Sequence, residues 1–419
     1  KDAITKNHLL ESYGLILNQY ENIKYNSFPL PNLEIQNANI SLKQDTIRMN
    51  TVTLKIYPKF YNIYNYSNLK VNKIVLNENK ILLSDFDLKF LIDYIYDLKK
   101  KVNFQNLNLI IHKNNSPLID LKKIYISNYG YNKNIVRGEV FNKKFEILFS
   151  DDNNKINFKL LKTGIIADIN FNKVKTESII NGVFKSKFLN SKIKFNFDYG
   201  EKKLKIYNSY FRSKDLSFNN ETTIIYFPFF SSNSIFEIVD MNAKLLKDIN
   251  INKILLSKDL IKKLNIKDEI NFKSKKFSKN LIDDLSLKIN LAYGRLVYSK
   301  KISISKNSLK CSGDINLLNE YPILYFDCSI ISNDKKKFLK KFSIKYVNKN
   351  ELFEMNVKGN INVLSNKINF KNIIVNRNYK ASKEDLNYFK QSFETILFDK
   401  DFSGIFNYDK IKKFILEVS

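Results

Sequence analysis

The sequence predicts a mainly β protein with a few α-helices, built on a long curved antiparallel β-sheet that forms an open apolar groove. Apolar and polar residues alternate in many segments, as in SKIKFNFDY at 191–199, which is the pattern of a half-buried antiparallel strand. Many links between these segments are short and polar, as hairpins require. Glycine and proline number only 10 and 6, which favours long meandering strands. A closed sandwich or barrel is the alternative architecture.

Residues 1–28 contain a predicted N-terminal amphipathic helix, which the two prolines of SFPLPN end. One face of this helix carries Leu9, Leu10, Tyr13, Leu17 and Tyr20. The N-terminal β-groove region follows at 29–235. It is interrupted by a predicted helix at about 84–102, for which Ser84 is a suitable N-cap.

The second half of the chain begins with a less regular stretch at 236–285, which predicts a mixed helical junction. Its SKDLIKKLNI segment is expected to be a helix capped by Ser257. The C-terminal β region spans 286–419 and contains a predicted helix at about 382–398. The final IKKFILEV fits either a helix or a strand.

Two cysteines exclude a disulfide-rich scaffold and a four-cysteine zinc site. Cys311 and Cys328 flank a predicted turn, on strands that could pair. We expect two free, buried thiols. A cross-strand disulfide is the alternative in an oxidising compartment.

The formal net charge is +28, which raises the question of a polyanionic partner. The lysines are spread along the whole chain, and arginine, the residue that nucleic-acid sites favour, is scarce. Lysine and asparagine enrichment is typical of translation from an AT-rich genome. We therefore expect no nucleic-acid partner, and attraction to anionic lipid headgroups is the remaining alternative to a solvated surface.

The sequence contains no constellation typical of an enzyme. The two histidines, His8 and His112, are too far apart in the chain to suggest a triad or a multi-histidine metal site. GxSxG, GxGxxG, P-loop and HExxH motifs are absent. The acidic pairs at 151–152 and 283–284 lie at predicted turns or junctions. We therefore predict a protein that is not an enzyme, with no catalytic residue, cofactor or metal.

The alternating strands leave one apolar face that something must cover, since a soluble protein rarely exposes such a strip without a function. Acyl chains suit an open trough, because each buried CH₂ contributes about 0.8 kcal/mol. Burial in a sealed core is the alternative for each groove residue. The predicted groove lining consists of Ile193, Phe195, Phe197, Tyr199, Leu204, Ile206, Phe145, Ile147 and Phe149.

Several stretches resemble the AsmA-like family, the bacterial relatives of bridge-like lipid-transfer proteins. FPLPNLEIQNANISL, followed by NTVTLKIYPKFYN and LKVNKIVLNENKILL, is similar to the family's N-terminal strand pattern. VNFQNLNLIIHKNNSPLIDLKKIYISN and NIVRGEVFNKKFEILFS resemble its middle region, and KINLAYGRLVYSKKISISKNSLKCSGDINLLNEYPILYFDCSI resembles its C-terminal region. The likeness spans most of the chain but consists of hydrophobic patterns.

This resemblance implies a β-groove protein that holds phospholipid acyl chains between the inner and outer membranes. It also implies a periplasmic location, with an inner-membrane anchor helix upstream of Lys1, and a role in outer-membrane biogenesis. The expected partners are phospholipid or another acyl lipid, the membrane and envelope proteins. The alternative function is that of a structural or assembly factor of the envelope, with a closed β core and protein partners.

Overall fold

The structure is a computed structural model, and it confirms a mainly β fold with few helices. It describes residues 2–42, 47–60, 70–84, 90–91, 94–95, 98–113, 116–150, 154–172, 179–200, 202–227, 229–242, 255–274, 281–345, 352–399 and 402–418. The described strands number 24 and belong to one mixed sheet. The chain divides into unit 1, residues 1–173 and 185–189, and unit 2, residues 174–184 and 190–419.

The strands of unit 1 begin directly after an N-terminal helix; the first two both pair with the third, and from there each strand pairs with the next. They are β1 (Leu15–Gln19), β2 (Asn22–Asn26), β3 (Asn32–Leu42), β4 (Arg48–Pro58), β5 (Val71–Ser84), β6 (Lys101–Lys113), β7 (Ser116–Ser127), β8 (Ile135–Val140), β9 (Lys143–Phe149), β10 (Lys155–Leu160) and β11 (Ile165–Phe171). The next strand, β12 (Ile180–Phe188), is divided between the two units.

The strands of unit 2 also pair each with the next. They are β13 (Ser191–Tyr199), β14 (Lys203–Arg212), β15 (Leu216–Ile225), β16 (Ser231–Met241), β17 (Asn265–Lys273), β18 (Asp284–Ala292), β19 (Arg295–Ile304), β20 (Asn307–Asn316), β21 (Ile323–Ser332), β22 (Phe353–Asn362), β23 (Lys367–Val375) and β24 (Tyr379–Lys380). Among the described residues, β13 and β24 do not pair with each other, so this part of the sheet is open.

The prediction of a purely antiparallel sheet was wrong at two places. Strands β5 and β6 are parallel, and so are β16 and β17. Parallel neighbours need a crossover connection, and in both cases a long segment separates the two strands in the chain. The other pairings recorded between successive strands are antiparallel, as the alternating pattern predicts.

The described helices lie near the two ends of the chain, in the crossover between β16 and β17, and in the connection between the antiparallel β21 and β22. They are α1 (Asp2–Tyr13), α2 (Lys258–Ile261), α3 (Lys335–Lys341), α4 (Lys383–Leu397) and α5 (Tyr408–Val418), with a 3₁₀ turn at Phe402–Phe406. The predicted helix at 382–398 is confirmed as α4. The Ser382 side chain accepts a hydrogen bond from the Asp385 N–H in a capping box. The open choice for IKKFILEV resolves as helix.

The predicted helix within residues 1–28 is shorter than its pattern suggested. It ends at Tyr13, because Gly14 takes a left-handed conformation (φ 64°) and its N–H bonds the Leu10 carbonyl oxygen. Leu15 and Leu17 then alternate as buried residues of β1 instead of continuing the helix.

Two other predicted boundaries need correction. Strand β5 runs to Ser84, so the suggested N-cap is the end of a strand, and positions 85–89 lie outside the described residues. Residues 90–91 and 94–95 are helical, and β6 begins at Lys101. The junction predicted at 236–285 contains the short α2, with Ser257 at its N-cap position, but also the full strand β17.

A line of left-handed residues crosses the strands of unit 1 at one level. Asn37, Glu78, Asn106 and Lys123 have φ angles of 48°, 54°, 51° and 50°, and the registers of β3–β7 place them at one level, with β4 between the first two. Each inserts an irregularity that changes which alternate residues face inward. On β3, for example, Ile35 and Ala38 are both buried although they are three residues apart.

Two buried polar side chains support this line. The Asn79 side-chain amide donates to the carbonyl oxygens of Leu76 (3.1 Å) and Gln105 (3.2 Å). The Thr51 hydroxyl donates to the carbonyl oxygen of Asn77 at 3.1 Å. These bonds satisfy carbonyl groups that the interrupted strand pairing leaves without partners.

The sheet of unit 1 is covered on its inner face. Leu9 and Tyr13 of α1 are fully buried against it, and Leu91 and Ile95 of the helical segment join the same core. The Tyr94 hydroxyl donates to the Tyr13 carbonyl oxygen at 2.5 Å, which joins that segment to the end of α1. The void between the helical segment and the sheet is only about 10 Å³. The inner face of β3–β6 is therefore sealed beneath α1 and the helical segment.

Candidate ligand-binding face

The inner face of unit 2, defined as the sheet face that carries α3–α5, presents continuous rows of apolar side chains. The register allows these rows to be followed from strand to strand, because directly paired residues point to the same face. One row is apolar at each of its eleven positions, and we refer to it as the apolar row. It comprises Ile193, Phe211, Phe218, Ile238, Phe272, Leu285, Ile302, Leu309, Ile330, Met355 and Val375.

The apolar row differs from the corresponding rows of unit 1 in its exposure. All eleven of its side chains remain partly exposed. In unit 1, a row through β1 and β3–β6 is buried at each position, with Ile40 and Ile81 only 1% exposed. The same alternating pattern therefore produces a sealed face over β1 and β3–β6 of unit 1 and an accessible one in unit 2.

Six of the predicted groove residues lie together on this accessible face. Ile193, Phe195 and Phe197 alternate along β13, and Phe197 is paired with Ile206 of β14. Tyr199 is paired with Leu204 and is 47% exposed, while the other five are partly buried. The Phe195 ring stacks on Phe184 with centroids 4.7 Å apart.

A bulge in β14 extends this face beyond the residues that simple alternation predicts. Asn208 has a φ of 48°, and the pairing shifts by one residue between Lys194 and Asn196 of β13. Ile206 and Phe211 therefore share a face although their spacing is odd. The Phe211 ring stacks on Phe218 at 5.1 Å, which begins an aromatic cluster that sequence alternation alone did not reveal.

The three remaining predicted groove residues lie in unit 1. Phe145 is 3% exposed and belongs to the sealed core, where its ring lies 6.3 Å from that of Phe158. Ile147 packs against the same core, and Phe149 is partly exposed. The three share one face of β9 as predicted, but Phe145 lines no open groove.

Aromatic rings and glycines alternate across the neighbouring row of unit 2. Tyr298, Gly313, Phe326, Gly359 and Phe370 face one another on successive strands. A Cβ atom built on Gly313 would lie 2.9 Å from the Tyr298 ring, and one on Gly359 would lie 2.7 Å from the Phe326 ring. The glycines therefore allow large rings to lie flat over the strands.

The C-terminal helices cover only one end of this inner face, and they leave a cavity of about 730 Å³ beneath them. Its floor is formed by strands β19–β23. Its roof includes Phe389 and Phe393 of α4 and Phe414 of α5. The described lining is almost entirely apolar and contains no carboxylate. A cavity of this size is within the range of single-ligand sites.

A groove of about 680 Å³ on the opposite face of unit 2 has different chemistry. Its lining includes Lys205, Glu221, Lys267, Glu269 and Lys288, with Lys288 and Glu269 paired at 3.5 Å. Interspersed charges of both signs on partly exposed strands are typical of a solvated surface. The apolar face is therefore the stronger candidate site.

Polar groups interrupt the accessible face at a few positions. The Asp268 carboxyl is paired with Ser234, which is 7% exposed. Burial raises the pKa of Asp268, and a hydrogen bond from Ser234 opposes that shift. On β19, burial lowers the pKa of the Lys300 ammonium. Sequence analysis did not single out Lys300, although its signal is present: it is the one polar residue in the series Tyr298, Lys300, Ile302, Ile304.

The expectation of two free thiols was wrong. Cys311 and Cys328 are directly paired on β20 and β21 and form a disulfide, with Cα atoms 4.1 Å apart. A directly opposed pair in an antiparallel sheet brings the two side chains close enough to bond. Both cysteines lie along the floor of the cavity.

The described residues provide neither a metal-binding cluster nor a membrane-spanning helix. They contain no cluster of three or more His, Cys, Asp or Glu side chains placed to hold a metal ion. Within this part of the chain, no helix is long and apolar enough to cross a membrane.

No protein-family model matches this chain. It is similar to Protein Ycf2 of Physcomitrium patens, with 30% identity over 374 residues, which cover 85% of this chain. The chain spans about 14% of the length of this curated relative.

Proposed function

We propose that the chain is a non-enzymatic lipid-binding protein that carries acyl chains on the inner face of unit 2, and that it transfers phospholipid within the bacterial envelope. The observation that carries the proposal is the apolar row, whose eleven side chains all stay partly exposed. A contiguous apolar surface of this kind typically marks an interaction site.

The energetics favour a long, flexible apolar ligand. Each CH₂ group that leaves water contributes about 0.8 kcal/mol, so a chain of ten such groups gains about 8 kcal/mol before ordering costs. Rows of Phe, Ile and Leu side chains provide these apolar contacts, which do not depend on the direction of approach as hydrogen bonds do. A linear acyl chain can follow such rows in several positions, which suits movement along the face as well as binding.

Two observations support an envelope location. The Cys311–Cys328 disulfide is typical of oxidising compartments such as the periplasm. The resemblance to AsmA-like proteins implies an inner-membrane anchor and a periplasmic position. Lysines at the margin of the face would favour anionic headgroups remaining in water.

The proposal is tested by native mass spectrometry of the chain purified from bacterial cells without detergent, followed by organic extraction and lipid analysis. We expect phospholipid to co-purify with the wild type. The Phe195→Glu variant places a carboxylate on the accessible face, so we expect it to lose most of that lipid while its β-structure remains. The control is Asn196→Glu, which adds the same carboxylate to the opposite face of β13.

A lipid-free mass for the wild type would contradict the proposal and would leave a protein partner as the cover of this face. Equal lipid content in Phe195→Glu and Asn196→Glu would show that lipid does not lie on β13. Global unfolding of Phe195→Glu, detected by circular dichroism, would place Phe195 in a sealed core instead.

A further inference from the structure

Lys300 occupies an unusual position on the floor of the cavity. It is paired with Leu287 on one side and with Cys311 on the other, so its side chain shares the inner face with these apolar neighbours. Tyr298 and Ile302 flank it on β19 and face the same way. All but Leu287 line the cavity of about 730 Å³.

The charge of Lys300 has no counter-ion among the described residues. The described cavity lining contains no aspartate or glutamate. The Asp268 carboxylate lies two strands away on β17, and the Asp283 carboxylate pairs with Lys341 at 3.6 Å instead. The other lysine of the lining, Lys335, lies over the Phe353 ring at 5.3 Å.

We propose that this cavity binds one long-chain carboxylate, with its anionic head at the Lys300 ammonium and its alkyl chain beneath α4 and α5. The inference rests on the proposed lipid-binding function and names the ligand class for one part of the same face. An unpaired ammonium in an apolar site is costly, and a bound anion offsets that cost.

The composition of the lining favours a carboxylate over a phosphate head. Phosphate sites in proteins commonly combine several donors, often with the fork of an arginine, and the described lining contains no arginine. A carboxylate is satisfied by one ammonium and one neutral donor. The Tyr298 hydroxyl is that donor, since it lies two residues from Lys300 on the same face.

The rest of the cavity matches an alkyl chain. Its roof and floor are formed by aromatic and branched side chains, including Phe389, Phe393 and Phe414 from the helices. The volume lies in the range of sites that enclose one small ligand. A ligand with a single tail is therefore the occupant that the cavity fits.

The test compares Lys300→Met with Lys301→Met by isothermal titration of the delipidated full chain. Met keeps the length of the side chain and removes the charge, and Lys301 lies on the opposite, exposed face of the same strand. The probes are dodecanoate, 1-dodecanol and dodecyl phosphate. Lys300 is partly exposed and has apolar neighbours, so replacing its charge with a Met side chain does not threaten folding and Lys300→Met serves as a folded variant.

We expect Lys300→Met to weaken dodecanoate binding by about ten- to one-hundred-fold and to leave 1-dodecanol binding unchanged. Lys301→Met should bind both as the wild type does. Equal dodecanoate affinity in Lys300→Met and the wild type would overturn the proposal. Tighter binding of dodecyl phosphate than of dodecanoate would overturn the carboxylate assignment.

The failure of this inference is distinguishable from failure of the proposed function. If the wild type co-purifies with phospholipid but does not bind dodecanoate, only the inference fails. If neither phospholipid nor dodecanoate binds, both fail.

Discussion

The contrast between the sealed face of unit 1 and the accessible face of unit 2 can be measured by making one substitution in each. Phe104 is 1% exposed within the core of unit 1, whereas Phe195 is partly exposed on the accessible face. We expect Phe104→Ala to lower the free energy of unfolding by about 3–5 kcal/mol, because it leaves a closed void. Phe195→Ala leaves no closed void.

The loss in the free energy of unfolding that we expect for Phe195→Ala follows from the surroundings of the ring. Full burial of a Phe side chain contributes about 1.5–3 kcal/mol, and a partly exposed ring keeps about half of that. The stack on Phe184, at 4.7 Å, adds about 0.5–1 kcal/mol. The expected loss in the free energy of unfolding is therefore about 1.3–2.5 kcal/mol.

Hydrogen exchange followed by mass spectrometry is the suitable assay, because two units need not unfold together. At about 1.4 kcal/mol per tenfold change, Phe104→Ala should speed exchange in β6 by more than one-hundred-fold. Phe195→Ala should speed exchange in β13 and β14 by about eight- to sixty-fold. Equal effects in lipid-free protein would refute the reasoning, since they would place Phe195 in a core as closed as that around Phe104.

Three further predictions concern features that the structure introduces. Asn79→Ala should lower the free energy of unfolding by about 2–4 kcal/mol, because it removes the donor from two carbonyl groups. Chemical denaturation should measure this loss, and the control Asn77→Ala should lose under about 0.5 kcal/mol. Burial raises the pKa of Asp268, so its contribution to stability is present below the unfolded pKa of about 3.9 and is lost as pH rises through the folded value. Asp268→Asn should therefore raise the unfolding midpoint at pH 7 and not at pH 3, and an equal change at both would contradict this. Cys311→Ser should lower the free energy of unfolding by about 3 kcal/mol, because it removes a disulfide between residues 17 positions apart. A reductant should therefore lower the melting temperature of the wild type but not that of the variant.

Local patterns predicted the parts of the fold that depend on neighbouring residues in the chain. The alternation at 191–199 is confirmed as β13, and Ser382 with Asp385 forms the cap of α4. The N-terminal helix was overextended because Leu17 fits the helical and the strand period alike. Only Gly14, in its left-handed conformation, decides between them.

Other features depend on several strands at once and have no clear local signal. Asn37 and Asn106 look like ordinary polar residues until the register places their left-handed conformations at one level of the sheet. The parallel pairing of β5 with β6 is likewise a property of the crossover between them.

Where a left-handed residue interrupts a strand, as Asn208 does in β14, only the structure decides which residues share a face. Elsewhere the sequence by itself determined which residues share a face, because the side chains of an extended strand alternate with a period of two. It did not determine whether that face is covered. Phe145 and Phe195 have the same alternating surroundings, yet one is 3% exposed and the other lies on an accessible surface. Coverage is decided by elements distant in the chain, with α1 against unit 1 and α4 and α5 against one end of unit 2. The physical reason is that burial depends on what packs against a strand, and no local pattern contains that information.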